Sequence, residues 1–220
     1  MIERLSFWEL IYHSVMSLKD VKMNFLVDIA TDLFICRSIQ DVTIKDIAVS
    51  AQVGEATIYR YFGKKQALVV SAAMKLQKEV NTLYFKLDEG RNGFEKLKIF
   101  YLSYLQIFIH HPEFYKFINE FDSFISSEEP SNSDVIDPYE AVVGQYEKVY
   151  MKAYEEGLRD GSVKEQRDIS MFYFATTHAL LELCKKLSIR AAVLNQDKII
   201  EKQAQVECLI DIVLSTLNNN

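Results

Sequence analysis

The chain has 220 residues, a net charge of −6 and 49% hydrophobic residues, enough for a sizeable core. Seven glycines and three prolines are too few for a turn-rich β protein, and no apolar run reaches the roughly 18 residues that span a bilayer. The balance predicts an all-α, cytoplasmic protein. Three widely spaced cysteines, Cys36, Cys184 and Cys208, read as buried free thiols in a reducing compartment. Glu9 and His13 interrupt the apolar N-terminus and no small-residue cleavage site follows, so no signal peptide is expected. No Cys/His pair has metal-ligand spacing, so neither a metal nor a cofactor is expected.

Residues 1–19 form an extension in which Ile2, Leu5, Trp8 and Tyr12 suggest a weak extra helix, with Met16 a candidate initiator. Residues 22–36 place Phe25/Leu26, Ile29, Leu33 and Cys36 at helical spacing, and that row is the expected buried face. After RSIQDV, Thr43 stands three residues before Asp46 as the cap of a short helix that buries Ile44, Ile47 and Ala48. AQVG makes a tight connection to a second short helix, EATIYRYF, with Ile58 and Phe62 turned inward. A long helix follows from Lys64 to Phe85. Two short helices joined by a few residues are a helix-turn-helix unit, whose second helix enters the DNA major groove. Gly54, Glu55, Ala56, Thr57, Tyr59, Arg60 and Tyr61 then lie on or beside the outward face, with Lys64 and Lys65 after them. Hydroxyls and cations are donors that phosphate accepts. Between Thr43 and Lys78, six cations face two acids, a local charge of +4 that leaves −10 on the remainder.

The stretch TIKDIAVSAQVGEATIYRYFGKKQAL resembles the DNA-binding signature of the tetracycline-repressor (TetR) family of bacterial transcription regulators. The shared pattern is Thr-x-x-Asp-Ile-Ala, Ala-x-Val, Thr-Ile-Tyr-x-Tyr-Phe and Lys-x-x-Leu, over about residues 28–68. The resemblance implies a three-helix DNA-binding domain at 1–68 and a larger helical domain at 69–220 for effector binding and dimerisation. It implies phosphate contacts from Thr43 and Lys65 with Tyr59 and Tyr61 beside them, and base or backbone contacts from Thr57. Ser38 and Gln52 stand where that family often has glycine, a replacement that costs little if φ stays negative. Gly54 replaces the usual Ser or Thr cap.

In the remainder, ten aromatics crowd residues 94–125. They are either core or the wall of a cavity for an apolar or aromatic small molecule, with Tyr101, Tyr104, Phe108, Phe121, Tyr146, Tyr150, Tyr173 and His178 as candidate lining. Residues 126–137 read as a loop and Pro138 to about Glu156 as a helix. Ile169, Thr176, Leu180, Leu183 and Leu187 share their spacing with Ile199, Val206, Ile210, Val213 and Leu217. These stripes serve either their own core or a homodimer. One recognition helix reads few bases, which favours the dimer. No nucleophile–base pair is evident: His178 and Cys184, six apart on one helix, face different sides. The expected function is a ligand-responsive regulator, a repressor of a nearby promoter, that binds a palindromic double-stranded operator as a homodimer and is not an enzyme. A helical adaptor that has lost DNA binding is the alternative.

Overall fold

The structure, a computed structural model, describes residues 17–86, 90–127, 133–190 and 201–219. Residues 1–16, which hold most of the extension and Met16, and Ile199 lie outside these residues. The described chain is all-α and divides into two units, Met1–Ala72 and Ala73–Asn220.

The first unit holds α1 (Leu18–Cys36), α2 (Ile44–Ser50), α3 (Glu55–Phe62) and the start of α4 (Lys65–Tyr84). Helix α1 begins four residues earlier than its apolar pattern suggests, because Ser17 and Asp20 close a reciprocal capping box. Its buried face is Leu26, Val27, Ala30, Thr31 and Phe34. The expected row is displaced: Phe25 is half exposed, Ile29 and Leu33 are intermediate, and Cys36 is exposed. Thr31 hid the true face. Its hydroxyl donates to the Val27 carbonyl (2.7 Å), which lets a polar residue sit inside. The loop after α1 is pinned by Ile39 and Val42, both fully buried.

Helix α2 ends in a Schellman arrangement. The amide of Gln52 donates to Val49 O (3.1 Å) and that of Val53 to Ala48 O (3.0 Å). This geometry places Gln52 at φ 55°, and Ser38 stands at φ 154°. Neither position therefore meets the condition of negative φ under which a non-glycine residue costs little. A left-handed backbone costs a non-glycine residue about 1–2 kcal/mol, part of which glycine would give back through its larger unfolded entropy. Gln52→Gly should raise the stability of this unit by about 0.5 kcal/mol, read as a shift in the urea midpoint. A lower midpoint would mean that the glutamine side chain contributes more than its backbone costs. At the other end of α3, Gly63 (φ 70°, ψ −51°) is the centre of a γ-turn closed by Lys64 N to Phe62 O (2.7 Å). Glycine is needed there for its backbone alone, since a Cβ would meet nothing within 4 Å.

The second unit holds the rest of α4 with α5 (Gly93–His110), α6 (Pro112–Ser127), α7 (Ser133–Asp160), α8 (Ile169–Arg190) and α9 (Lys202–Leu217). Helix α5 packs against α6, α7, α8 and α9, and α8 also packs against α6 and α9. The expected loop at 126–137 is shorter. Helix α6 runs to Ser127 and α7 starts at Ser133, with Pro138 inside its second turn. A proline in the second turn has no amide for the carbonyl four residues earlier, so α7 forms there with one main-chain bond missing. Helix α7 also runs past Glu156 to Asp160.

Glycines set the crossing of α5 on α7. A Cβ on Gly93 would fall on the Gly157 backbone and lie 2.7 Å from Ala153 O. Asp160 then caps α5, accepting from Gly93 N (2.8 Å) and Ser162 N (2.9 Å). The Ser162 hydroxyl and the Gly93 amide hold its carboxyl below the usual range. The chain end is fastened to the same corner. Lys164 N donates to Leu217 O (2.8 Å), and Val163 and Asn218 form an isolated bridge.

The stripes expected to pair two copies are largely internal. Leu180, Leu187, Val206, Ile210, Val213 and Leu217 are all buried within the single chain, and Ile169, Thr176 and Leu183 are intermediate. The physical reason is that α8 and α9 pack against α5 and each other, and this consumes the most apolar side of each. The apolar residues left outside are Met171, Phe174 and Ile189 on α8 and Ile212 on α9. Of the cysteines only Cys184 is buried. Cys36 and Cys208 are exposed, against expectation.

Candidate nucleic-acid interface and a cavity in the larger unit

Helix α3 is held by Ile58, which is 1% exposed, while Phe62 is only half-buried. Around that anchor, Gly54, Glu55, Ala56, Tyr59, Arg60 and Lys64 are exposed, and Thr57 and Tyr61 are intermediate. The Arg60 guanidinium lies 5.1 Å from the Tyr61 ring centroid, a cation–π contact that steadies a long side chain at the surface. Gly54 caps the helix with extended backbone and no side-chain bond. The cluster thus presents two phenols and two cations from one short helix and its exit turn.

Two residues given phosphate roles by resemblance have work inside the unit. Thr43 Oγ1 donates to Asp46 Oδ2 (2.6 Å) and accepts from Asp46 N (3.1 Å), closing the capping box of α2. The Thr43 hydroxyl, then its amide, and the nearby Arg37 hold the Asp46 carboxyl below its ordinary range. Lys65 is half-buried, and its ammonium donates to the Ile39 and Gln40 carbonyls. It ties the start of α4 to the loop after α1. Arg37, absent from the sequence-based set, pairs with Asp46 (3.5 Å) and donates to Asp41 O (3.4 Å). A cation six residues before a cap is not a spacing that signals this contact.

The second unit contains a cavity of about 150 Å³. Of the eight candidate lining residues, Tyr104, Tyr146, Tyr173 and His178 line it. The other four do not. Tyr101 and Tyr150 are buried core, their hydroxyls 3.3 Å apart, with Tyr101 also bonded to Thr176 Oγ1 (2.8 Å). Phe121 packs on Tyr139 (4.8 Å between centroids), and Phe108 sits half-buried beside Tyr115. Helical spacing fixes which side of α5 faces inward but not which inward residue meets a gap, and this is why the split fell within one stripe. Gln77, Phe85, Tyr115 and Tyr139 line the cavity too and were not foreseen. A lone glutamine on the apolar side of a long helix was the available signal for Gln77. Its amide donates to the Tyr146 hydroxyl. Cys184 is fully buried, and burial pushes its thiol up to about 12, so it is not a thiolate nucleophile near neutral pH.

A helix-turn-helix with an exposed aromatic and cationic second helix, joined to a larger helical unit, is the class that fold and site define. Residues 26–72 match the model of the family described as bacterial regulatory proteins, tetR family, and the chain resembles that family. Solved structures extend the likeness in fold. The ketosteroid transcriptional regulator KstR2 of Mycobacterium tuberculosis is 18% identical, with a TM-score of 0.59 over 90% of this chain and 96% of its own. The fatty acid degradation regulator FadR from Bacillus halodurans is 17% identical, with a TM-score of 0.62 over 88% and 94%. The transcriptional regulator FadR from Bacillus subtilis, solved with stearoyl-CoA, is 16% identical, with a TM-score of 0.61 over 87% and 97%. No curated protein matches the chain. Among the described residues, no helix is long and apolar enough to cross a membrane.

Proposed function

We propose that this protein is a ligand-responsive, DNA-binding transcription regulator that represses a nearby promoter as a homodimer on a palindromic operator. The observation that carries the reading is the outward set Tyr59, Arg60, Tyr61 and Lys64, held in place by the buried Ile58. Two such helices in a dimer would enter successive major grooves about 34 Å apart. The exposed apolar residues of α8 and α9, Met171, Phe174, Ile189 and Ile212, are the natural material for the dimer contact. Helix α4 carries both Lys65 and Gln77, so a ligand that competes for the Gln77–Tyr146 bond acts on the helix that leads into the DNA-binding unit. Such coupling is typically worth about 1–3 kcal/mol.

The test is retention of DNA at low ionic strength. The purified protein should prefer its own upstream region over random fragments and hold it as a two-chain complex. Equal retention of both would favour the adaptor reading. Lys65→Ala should weaken binding to every sequence alike, since it loosens the Ile39–Gln40 loop and removes a cation. If Lys65 also meets phosphate, the slope of log affinity against log salt should fall by about 1. An unchanged slope would confine Lys65 to its carbonyl contacts.

A further inference from the structure

The cavity wall has a chemistry that narrows what it takes. Tyr104, Tyr139 and Tyr173 line it, and their hydroxyls make no hydrogen bond within the described residues. Tyr173 is 6% exposed overall. A buried tyrosine ordinarily finds a partner for its hydroxyl. Here the only sealed and unpartnered side-chain oxygen among the described residues is Ser188 Oγ, so the three phenols remain reachable. Gln77 adds an acceptor: its amide nitrogen serves Tyr146 and, at 3.5 Å, Asn81, which leaves its carbonyl oxygen for another donor. Burial raises the pKa of Tyr104, Tyr139 and Tyr173, so all three stay neutral donors across physiological pH.

No lysine, arginine, aspartate or glutamate lines the cavity. His178 lines its exposed side with Phe174 and Val143. A charged ligand would therefore be stripped of water without a counter-ion inside, which is costly. The volume, about 150 Å³, suits roughly one aromatic ring, against about 300 Å³ or more for drug-sized ligands. Phe85, Phe114 and the tyrosines line it with aromatic rings, which suit an aromatic guest.

We propose that this cavity binds a compact, uncharged, single-ring aromatic molecule bearing both a hydrogen-bond acceptor for the free tyrosine hydroxyls and a donor for Gln77, such as a hydroxylated benzaldehyde or phenyl ketone. The inference rests on the reading of the second unit as an effector domain. Stearoyl-CoA, the molecule solved with the Bacillus subtilis neighbour, matches this cavity in neither size nor charge.

Calorimetric titration of the full chain with 4-hydroxybenzaldehyde, benzoate and stearoyl-CoA tests it. The aldehyde should bind with a dissociation constant between about 10 μM and 1 mM, within the efficiency expected of so small a ligand. Benzoate should bind at least tenfold more weakly and stearoyl-CoA not at all. The double variant Tyr104→Phe/Tyr173→Phe keeps the ring volumes and should lose at least tenfold in affinity for the aldehyde. Equal or tighter binding of either charged probe, no binding of the aldehyde, or an affinity unmoved in the double variant would overturn the proposal. Gel retardation with the aldehyde added reads the regulatory role separately. Aldehyde binding lost in the double variant, with DNA retention indifferent to the aldehyde, would uphold the ligand class and refute the effector role.

Discussion

Gly93→Ala should be among the most damaging single substitutions in the larger unit. The added methyl would be driven into the backbone of Gly157 and to 2.7 Å from Ala153 O. Main-chain atoms within a long helix cannot step aside as a side-chain tip can, so α5 and α7 must separate. Separation would also pull Gly93 N from Asp160 and disturb the corner where the chain end is fastened. Overpacking of this kind costs about 3 kcal/mol or more, out of a total that is typically 5–15 kcal/mol. Circular dichroism at 222 nm should show a melting midpoint lower by about 6–12 °C. Gly157→Ala should cost less, because its Cβ meets mainly the side chain of Val163. Gly144→Ala supplies the control. Its Cβ meets nothing within 4 Å, and alanine is the better helix former by about 0.5–1 kcal/mol. Equal melting of the Gly93 and Gly144 variants would sink the claim that this crossing depends on missing side chains.

The second large effect lies in the smaller unit. Ile58 is the single fully buried residue of α3. Ile58→Ala removes that anchor and should cost about 2–5 kcal/mol, comparable with the whole stability of a unit of this length, roughly 3–8 kcal/mol. The apparent affinity for DNA scales with the folded fraction, so retention of operator DNA should fall more than tenfold at 25 °C. Ile58→Val should lose only about 0.5–1.5 kcal/mol and keep most binding. Tyr59→Phe, which leaves the anchor intact, should keep the fold and change affinity alone. If Ile58→Ala bound DNA as well as the unaltered chain, the outward set would not depend on this helix being docked.

The smaller unit was the more legible part. Thr43 with Asp46, Ile47 with Ala48, and Ile58 followed by the tyrosines announce caps, a buried side and an exposed side within some 20 residues. The errors there were local and have causes. Thr31 is polar yet buried because its hydroxyl bonds along its own helix. Gln52 and Ser38 adopt backbones that their side chains do not advertise. The larger unit was less legible, because apolar periodicity tells which side of a helix is covered but not by what. Leu180, Val206 and Ile210 lie on stripes whose spacing suits either a core or a pairing surface, and they are core. Tyr101 and Tyr104, three apart on one helix, have different fates: one bonds Thr176 in the core and the other borders a cavity. Gln77 and Tyr139 reach that cavity from helices distant in sequence, which no single-helix pattern reports.

Pro138 lies one residue before Tyr139, near the head of α7. It has no amide proton, so the carbonyl of residue 134 lacks its usual partner along the helix. The first turns of α7 are therefore held by fewer main-chain bonds than any later stretch of the same helix. The stretch of α7 that carries Tyr139 to the cavity wall thus begins with one main-chain bond fewer than the rest of that helix.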